Sequence, residues 1–156
     1  MTQSLVITPI ADLLTTIEIP SFGSRVQAGF PSPAFDYSED PIDFNKLLIN
    51  DKEATFVVKV NGTSMIDAHV VPGSLLIVDK SIIPNSGDIV VAVIYGEFTV
   101  KYYKVENGLI WLVPANKDYQ PMQINECQDF QIWGVVIRIL INPRIHSLQD
   151  VRPCRL

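Results

Sequence analysis

The 156-residue chain is 47% hydrophobic, which gives one domain of ordinary size enough apolar surface for a core and excludes disorder of the whole chain. Its formal charge of -5 speaks against gripping nucleic acid through the phosphates, a mode that needs a basic face to release counterions. No strong direct nucleic-acid binding is expected, and any link to DNA should run through protein partners.

The two cysteines, Cys127 and Cys154, form no CxxC pair and offer neither a metal-ligand spacing nor a redox motif, so both read as free thiols in a reducing cytosol. The N-terminus lacks a basic n-region, and its apolar stretch from Leu5 is broken by Pro9 and Asp12 before it could act as a signal sequence. No apolar run is long enough to span a bilayer. A cytoplasmic protein without a membrane partner is the expectation.

Met1 to about Tyr37 carries Pro9, Pro20, Pro31 and Pro33 among short apolar pieces, which suits an extended, partly mobile arm without its own core. Within it Leu13–Ile19 and Arg25–Phe30 could each pair as a strand against another part of the chain. Asp43 reads as the N-cap of about two helical turns through Ile49, with the apolar residues on one side.

From Thr55 onward the pattern is of strands: Thr55–Val60, Leu75–Val78, Ile89–Tyr95, Phe98–Val105, Leu109–Val113 and Ile132–Ile141. They are rich in Val, Ile, Phe and Tyr, which suit a pleated, half-buried surface. Tyr95-Gly96-Glu97-Phe98 predicts a two-residue hairpin loop with Gly first, a type II′ turn. Short connections ending in Pro72-Gly73, Asn85-Ser86-Gly87 and Asn107-Gly108 predict one compact multi-stranded body that is mainly β. Strands do not alternate with helices, so an α/β fold is disfavoured.

Gly62-Thr63-Ser64-Met65 follows the apolar strand ending at Val60, which would leave a small hydroxyl exposed at a strand-to-turn junction, as a nucleophile requires. On its own Ser64 reads more readily as a turn or helix N-cap residue than as a catalyst. Of the possible bases, His69 lies close in sequence in a short helical or loop segment, and His146 lies in a polar tail; surface histidines explain both. A lysine serves only if it is neutral, which at pH 7 needs about 4 to 5 kcal/mol of bias from its free pKa of about 10.4. Burial among apolar walls supplies bias of that size. In Phe98-Thr99-Val100-Lys101-Tyr102-Tyr103, alternation puts Lys101 on the face with Thr99 and Tyr103, mid-strand in apolar company. A solvated lysine on the outer face of a sheet is the other reading of Lys101, and Lys59 fits that reading as well. There is no phosphate loop, dinucleotide fingerprint, HExxH or tight acidic cluster, so neither a cofactor nor a metal is expected.

Five blocks occur in order: Ala28-Gly29-Phe30-Pro31-Ser32-Pro33-Ala34, Gly62-Thr63-Ser64-Met65, Gly73-Ser74-Leu75-Leu76-Ile77-Val78-Asp79, Gly87-Asp88-Ile89-Val90 and Glu97-Phe98-Thr99-Val100-Lys101. Together, over roughly Ile19 to Arg144, they resemble the UmuD-type members of the LexA, phage repressor and UmuD group of self-cleaving Ser/Lys proteins. The resemblance implies a LexA/signal-peptidase-like β domain over 38–144, an arm over 1–37 containing the cut, and a tail over 145–156. It further implies that Ser64 is the nucleophile, Lys101 the general base, Ala28-Gly29 the bond cut, and the backbone amides of Thr63 and Ser64 the oxyanion hole. Two small residues at the cut suit a narrow cleft, with Val26 and Phe30 anchoring in flanking pockets. Some members carry Cys-Gly at the cut, and the tail is longer than in some relatives.

By the same resemblance, a RecA filament on single-stranded DNA stimulates cleavage in the SOS DNA damage response. Cleavage leaves a homodimeric accessory subunit of a UmuC-like, Y-family translesion DNA polymerase. A LexA-like repressor would need a DNA-binding domain before the cut, where about 28 residues, broken by Pro9 and Pro20 and with Arg25 as their one basic residue, are too few. A signal peptidase would need a membrane anchor. A polymerase-binding module that kept the fold without the chemistry remains the other alternative.

Overall fold

In the computed structural model the described residues are 6–9, 18–22, 38–125 and 129–144. Arg25–Phe30 with the Ala28-Gly29 bond, most of Leu13–Ile19, Cys127, His146 and the tail with Cys154 lie outside them. The chain folds mainly as β structure, as the sequence leads one to expect, and the described residues form ten strands and one short α-helix. The strands are β1 (Val6–Pro9), β2 (Glu18–Phe22), β3 (Ser38–Asp43), β4 (Thr55–Lys59) and β5 (Leu75–Asp79). They continue with β6 (Ile89–Ile94), β7 (Glu97–Glu106), β8 (Leu109–Val113), β9 (Met122–Ile124) and β10 (Phe130–Leu140). Eight of them form one antiparallel sheet in the order β1-β4-β5-β10-β6-β7-β8-β9, and β2 pairs with β3 separately. The six strands read from the sequence from Thr55 onward all form, with no end displaced by more than two residues.

The described parts of the arm pair as strands: the second overlaps the expected Leu13–Ile19 segment at Glu18 and Ile19, while Arg25–Phe30 lies outside the described residues. Val6–Pro9 joins the edge of the large sheet beside β4, and Glu18–Phe22 pairs with Ser38–Asp43. The register between β2 and β3 shifts at Ile19/Ser21, on either side of Pro20, which has no N–H to give a ladder.

Both faces of the large sheet are covered. Val58, Val60, Met65, Ala68, Val70, Leu76, Val78, Val91 and Val100 form one buried cluster, and Val90, Ala92, Leu112 and Val135 form another. Successive residues of one strand feed opposite clusters, Val90 against Val91 and Val135 against Val136, because side chains alternate across a strand. That two-sided burial is why β5, β6 and β10 read as nearly unbroken apolar runs rather than alternating ones.

Strand β10 lies at the middle of the sheet and pairs with β5 on one side and β6 on the other, with register shifts at Ile132/Gly134 and Val136/Arg138. At the first of these Gly134 comes so close to β5 that a Cβ would lie 2.7 Å from Val78 Cγ1 and 3.0 Å from the Asp79 carbonyl oxygen. Val78 is fully buried and β-branched, so it has little room to turn aside. Gly134→Ala should therefore destabilise the chain by about 1–3 kcal/mol, the usual cost of overpacking. A urea unfolding midpoint equal to that of the wild type would contradict this.

Two local expectations are corrected. Strands β6 and β7 are joined through Tyr95-Gly96, with Ile94 paired to Glu97, so the two loop residues lie one position earlier than expected. Tyr95 and Gly96 have φ of 50° and 79°, which makes the turn type I′ rather than II′. The helix α1 (Phe44–Leu48) is capped as expected by Asp43, whose Oδ1 accepts from the N–H of Asn45 at 2.9 Å and of Lys46 at 3.4 Å. It is only five residues long, however, and buries none of them: Phe44 and Leu47 are exposed. Its apolar side is not a core face.

Candidate active site

The segment after β4 turns back at once. The Val60 N–H donates to the Ser74 carbonyl and the Gly73 N–H returns to the Val60 carbonyl, which closes a loop from Asn61 to Pro72 over the sheet. Within the loop Ile66–Ala68 forms a single 3-10 turn ended by His69 in the left-handed region at φ 61°. Met65, 2% exposed, anchors the loop in the core. Ser64, the residue before it, is thereby held at a fixed height above the sheet. Its side is covered rather than exposed, with 8% of its surface accessible, which corrects the expectation of an open hydroxyl.

Lys101 approaches from the middle of β7. It stands opposite Val90 in the register with β6, and Val90 is fully buried, so the lysine stem runs along an apolar surface. Its Nζ lies 2.8 Å from Ser64 Oγ, 3.0 Å from Thr99 Oγ1 and 2.9 Å from the Val100 carbonyl oxygen. Among the described residues no carboxylate pairs with it; the ion pairs found are Lys46–Asp43 and Lys104–Glu106. Burial without a counter-charge penalises the ammonium, and the Lys101 pKa falls from 10.5 to about 8. The solvated outer-face reading does not hold for this lysine. It holds for Lys59, which is exposed at the end of β4.

The three neighbours of Nζ suit both protonation states. An ammonium donates to all three oxygens. A neutral amine has two N–H bonds and one lone pair; the Val100 carbonyl can only accept, Thr99 Oγ1 takes the second N–H, and the lone pair faces the Ser64 hydroxyl. Losing one proton thus turns Ser64 from acceptor to donor without moving a heavy atom. Thr99 was legible as a residue on the same face as Lys101, but not as a partner of its amine.

Among the described residues no acceptor takes the N–H of Thr63 or Ser64, so the two amides named in the sequence analysis as an oxyanion hole are free donors. His69 is exposed, and the hydrogen bond to the Ser64 hydroxyl comes from Lys101 rather than from it. No group of His, Cys, Asp and Glu able to hold a metal occurs among the described residues, and none of their helices is long and apolar enough to cross a membrane.

A second loop, between β8 and β9, closes on the serine loop. The Asn116 side-chain amide donates to the Thr63 carbonyl at 2.9 Å, and Tyr119 Oη lies 3.0 Å from Thr63 Oγ1. The Asp67 N–H donates to the Ala115 carbonyl at 2.8 Å, and the Ala115 N–H points at Met65 Sδ at 3.3 Å. Nothing in the sequence pattern pointed to these residues.

The mainly β fold thus holds a buried serine beside a desolvated lysine, and comparison with known proteins shows the family to which such a chain belongs. A model described as Peptidase S24-like matches residues 20–137. The chain is 38% identical to protein MucA of Salmonella typhimurium over 124 residues, covering 79% of this chain and 84% of MucA. It is 41% identical to protein SamA of Salmonella typhimurium over 125 residues, 80% of this chain and 86% of SamA. To the LexA repressor of Carboxydothermus hydrogenoformans it is 40% identical over 126 residues, 80% of this chain and 60% of the repressor. The chain belongs to the Peptidase S24-like family, as a member of the UmuD type.

Proposed function

We propose that the chain cuts its own backbone between Ala28 and Gly29, with Ser64 as nucleophile and Lys101 as general base. The observation that carries this reading is the 2.8 Å contact between Lys101 Nζ and Ser64 Oγ in a site that desolvates the amine. Neutral Lys101 takes the Ser64 hydroxyl proton as Oγ attacks the Ala28 carbonyl carbon. The negative charge that develops on the carbonyl oxygen is met by the N–H groups of Thr63 and Ser64. Protonated Lys101 then gives its proton to the Gly29 nitrogen, which leaves as the new N-terminus. Water, deprotonated by the same amine, releases Ala28 from Ser64. One lysine serves as base and then acid in each half, so no histidine, metal or cofactor is needed.

The chain would be divided into an arm over 1–37 that carries the bond, a peptidase body over 38–144 and a tail over 145–156. Both β1 and β2 precede Ala28, so the severed piece would carry two strands that pair with β4 and β3. Membership of the UmuD type supports the rest of the reading. A RecA filament on single-stranded DNA stimulates the cut, and the product is a homodimeric accessory subunit of a UmuC-like translesion polymerase. RecA needs to supply no catalytic group, because a partner that favours the arm-docked state shifts an equilibrium the chain already has.

The test is incubation of the purified full chain from neutral to alkaline pH, and separately with RecA on single-stranded DNA and a nucleotide, with fragment masses read out. A fragment beginning at Gly29, made faster with RecA and absent in Ser64→Ala, is the expected result. Cleavage that survives Ser64→Ala, or no cleavage under any condition, would overturn the assignment in favour of a non-catalytic binding module.

A further inference from the structure

We infer that Asn116 is a positioning residue for the oxyanion donor of Ser64, an inference that rests on the self-cleavage reading. The Thr63 carbonyl and the Ser64 N–H belong to the same peptide unit. A trans peptide is planar, with its C=O and N–H pointing in opposite directions. Whatever holds the Thr63 oxygen therefore aims the Ser64 N–H. Two donors hold it: Asn116 Nδ2 at 2.9 Å and the Ile66 N–H at 3.3 Å.

The Asn116 amide is itself fixed. Its Oδ1 accepts from the Asp118 N–H at 2.9 Å, which leaves Nδ2 facing Thr63, and its backbone carbonyl accepts from the Tyr119 N–H at 3.1 Å. The neighbouring strut, Tyr119 Oη to Thr63 Oγ1, restrains rotation of the same residue about its side chain. Donation to a peptide carbonyl also polarises that peptide and strengthens its N–H as a donor. The loop between β8 and β9 thus acts at Ser64 without touching the reacting atoms, and Asn116 is the one side chain in it that sets the direction of a donor.

The test separates a donor-aiming role from a merely structural one. Asn116→Ala and Asn116→Asp are compared with the wild type for the rate of self-cleavage as a function of pH. In a Ser64→Cys background the same variants are compared for alkylation by iodoacetamide, a displacement that develops no carbonyl oxyanion. Self-cleavage should fall on the order of 10- to 100-fold, below the loss for deleting an oxyanion donor outright. The Asn116→Ala profile should keep the wild-type pH midpoint, and alkylation in Ser64→Cys/Asn116→Ala should stay within about twofold of Ser64→Cys, since neither depends on that donor. The Asp variant, which cannot donate, should cleave no faster than the Ala variant.

Self-cleavage of Asn116→Ala within twofold of wild type would overturn the inference, as would a loss of cleavage matched by an equal loss of alkylation or a moved midpoint. Absence of cleavage in the wild type, or its survival in Ser64→Ala, would instead overturn the self-cleavage reading on which the inference stands.

Discussion

Replacing Lys101 by methionine should abolish self-cleavage and at the same time make the folded chain more stable at neutral pH. Loss of the base removes the only described group within reach of the Ser64 proton, and knocking out one member of a catalytic nucleophile–base pair costs on the order of a millionfold in rate. Stability moves the other way because the site holds an amine it desolvates. A fall in pKa from 10.5 to about 8 corresponds to about 3 kcal/mol against the ammonium. The folded-state pKa is the lower one, so between pH 8 and 10.5 the unfolded chain binds more protons, and wild-type stability rises with pH across that window. Below pH 8 the penalty is present in full.

Methionine fills a similar volume without charge. A net gain on the order of 1–3 kcal/mol at pH 7, shrinking toward pH 10.5, is expected. Urea titrations at the two pH values measure it. A methionine variant that is less stable than wild type at pH 7, or whose difference does not change with pH, would mean that the amine is not held against its preference for water.

The rate of self-cleavage should rise about tenfold per pH unit up to pH 7.5 and level off above about pH 8.5. A base is active only when deprotonated, and the group in contact with Ser64 titrates at about 8. At pH 7 about one molecule in ten then holds a neutral lysine, which makes the uncatalysed encounter slow and leaves room for a partner to accelerate it. Lys101→Arg should be silent at every pH, since a guanidinium does not deprotonate in this range. Initial rates followed by intact mass across pH 6 to 10 decide the matter. A midpoint near 6.5 would point to a histidine, and a flat profile would remove general-base catalysis by Lys101.

The parts of this arrangement that were legible in the sequence are those set by short periods. Alternation along Phe98–Tyr103 put Thr99 and Lys101 on one face, and the structure has their side chains in contact. Asp43 as an N-cap needed only its neighbours. Ser64 was visible only through the five blocks, because Gly-Thr-Ser carries no periodic signal and its burial comes from Met65 being drawn into the core. The turn at Tyr95 was misread because a bulky residue at positive φ is uncommon. Here Ile94 pairs with Glu97 across a two-residue loop and Tyr95 takes φ 50°, so strand register overrides local preference. Asn116 lies 53 residues from Thr63 and meets it through the docking of two irregular loops, which no local pattern encodes. Strand β1 likewise finds β4 across about fifty residues of chain, and β9 is only three residues long.

The type I′ turn at Tyr95-Gly96 also makes the contact between Lys101 and Ser64 a matter of counting. Lys101 faces Ser64 because it is the fourth residue after Glu97, and Glu97 is locked opposite Ile94 by a connection of two residues. One residue more or fewer in the pairing of β7 would leave the strand apolar and paired but bring Val100 or Tyr102 to the place of the amine. The hairpin is thus restricted in its length as well as in its turn residues, so a drifting sequence could lose this chemistry through a single change of length while the strands stayed paired.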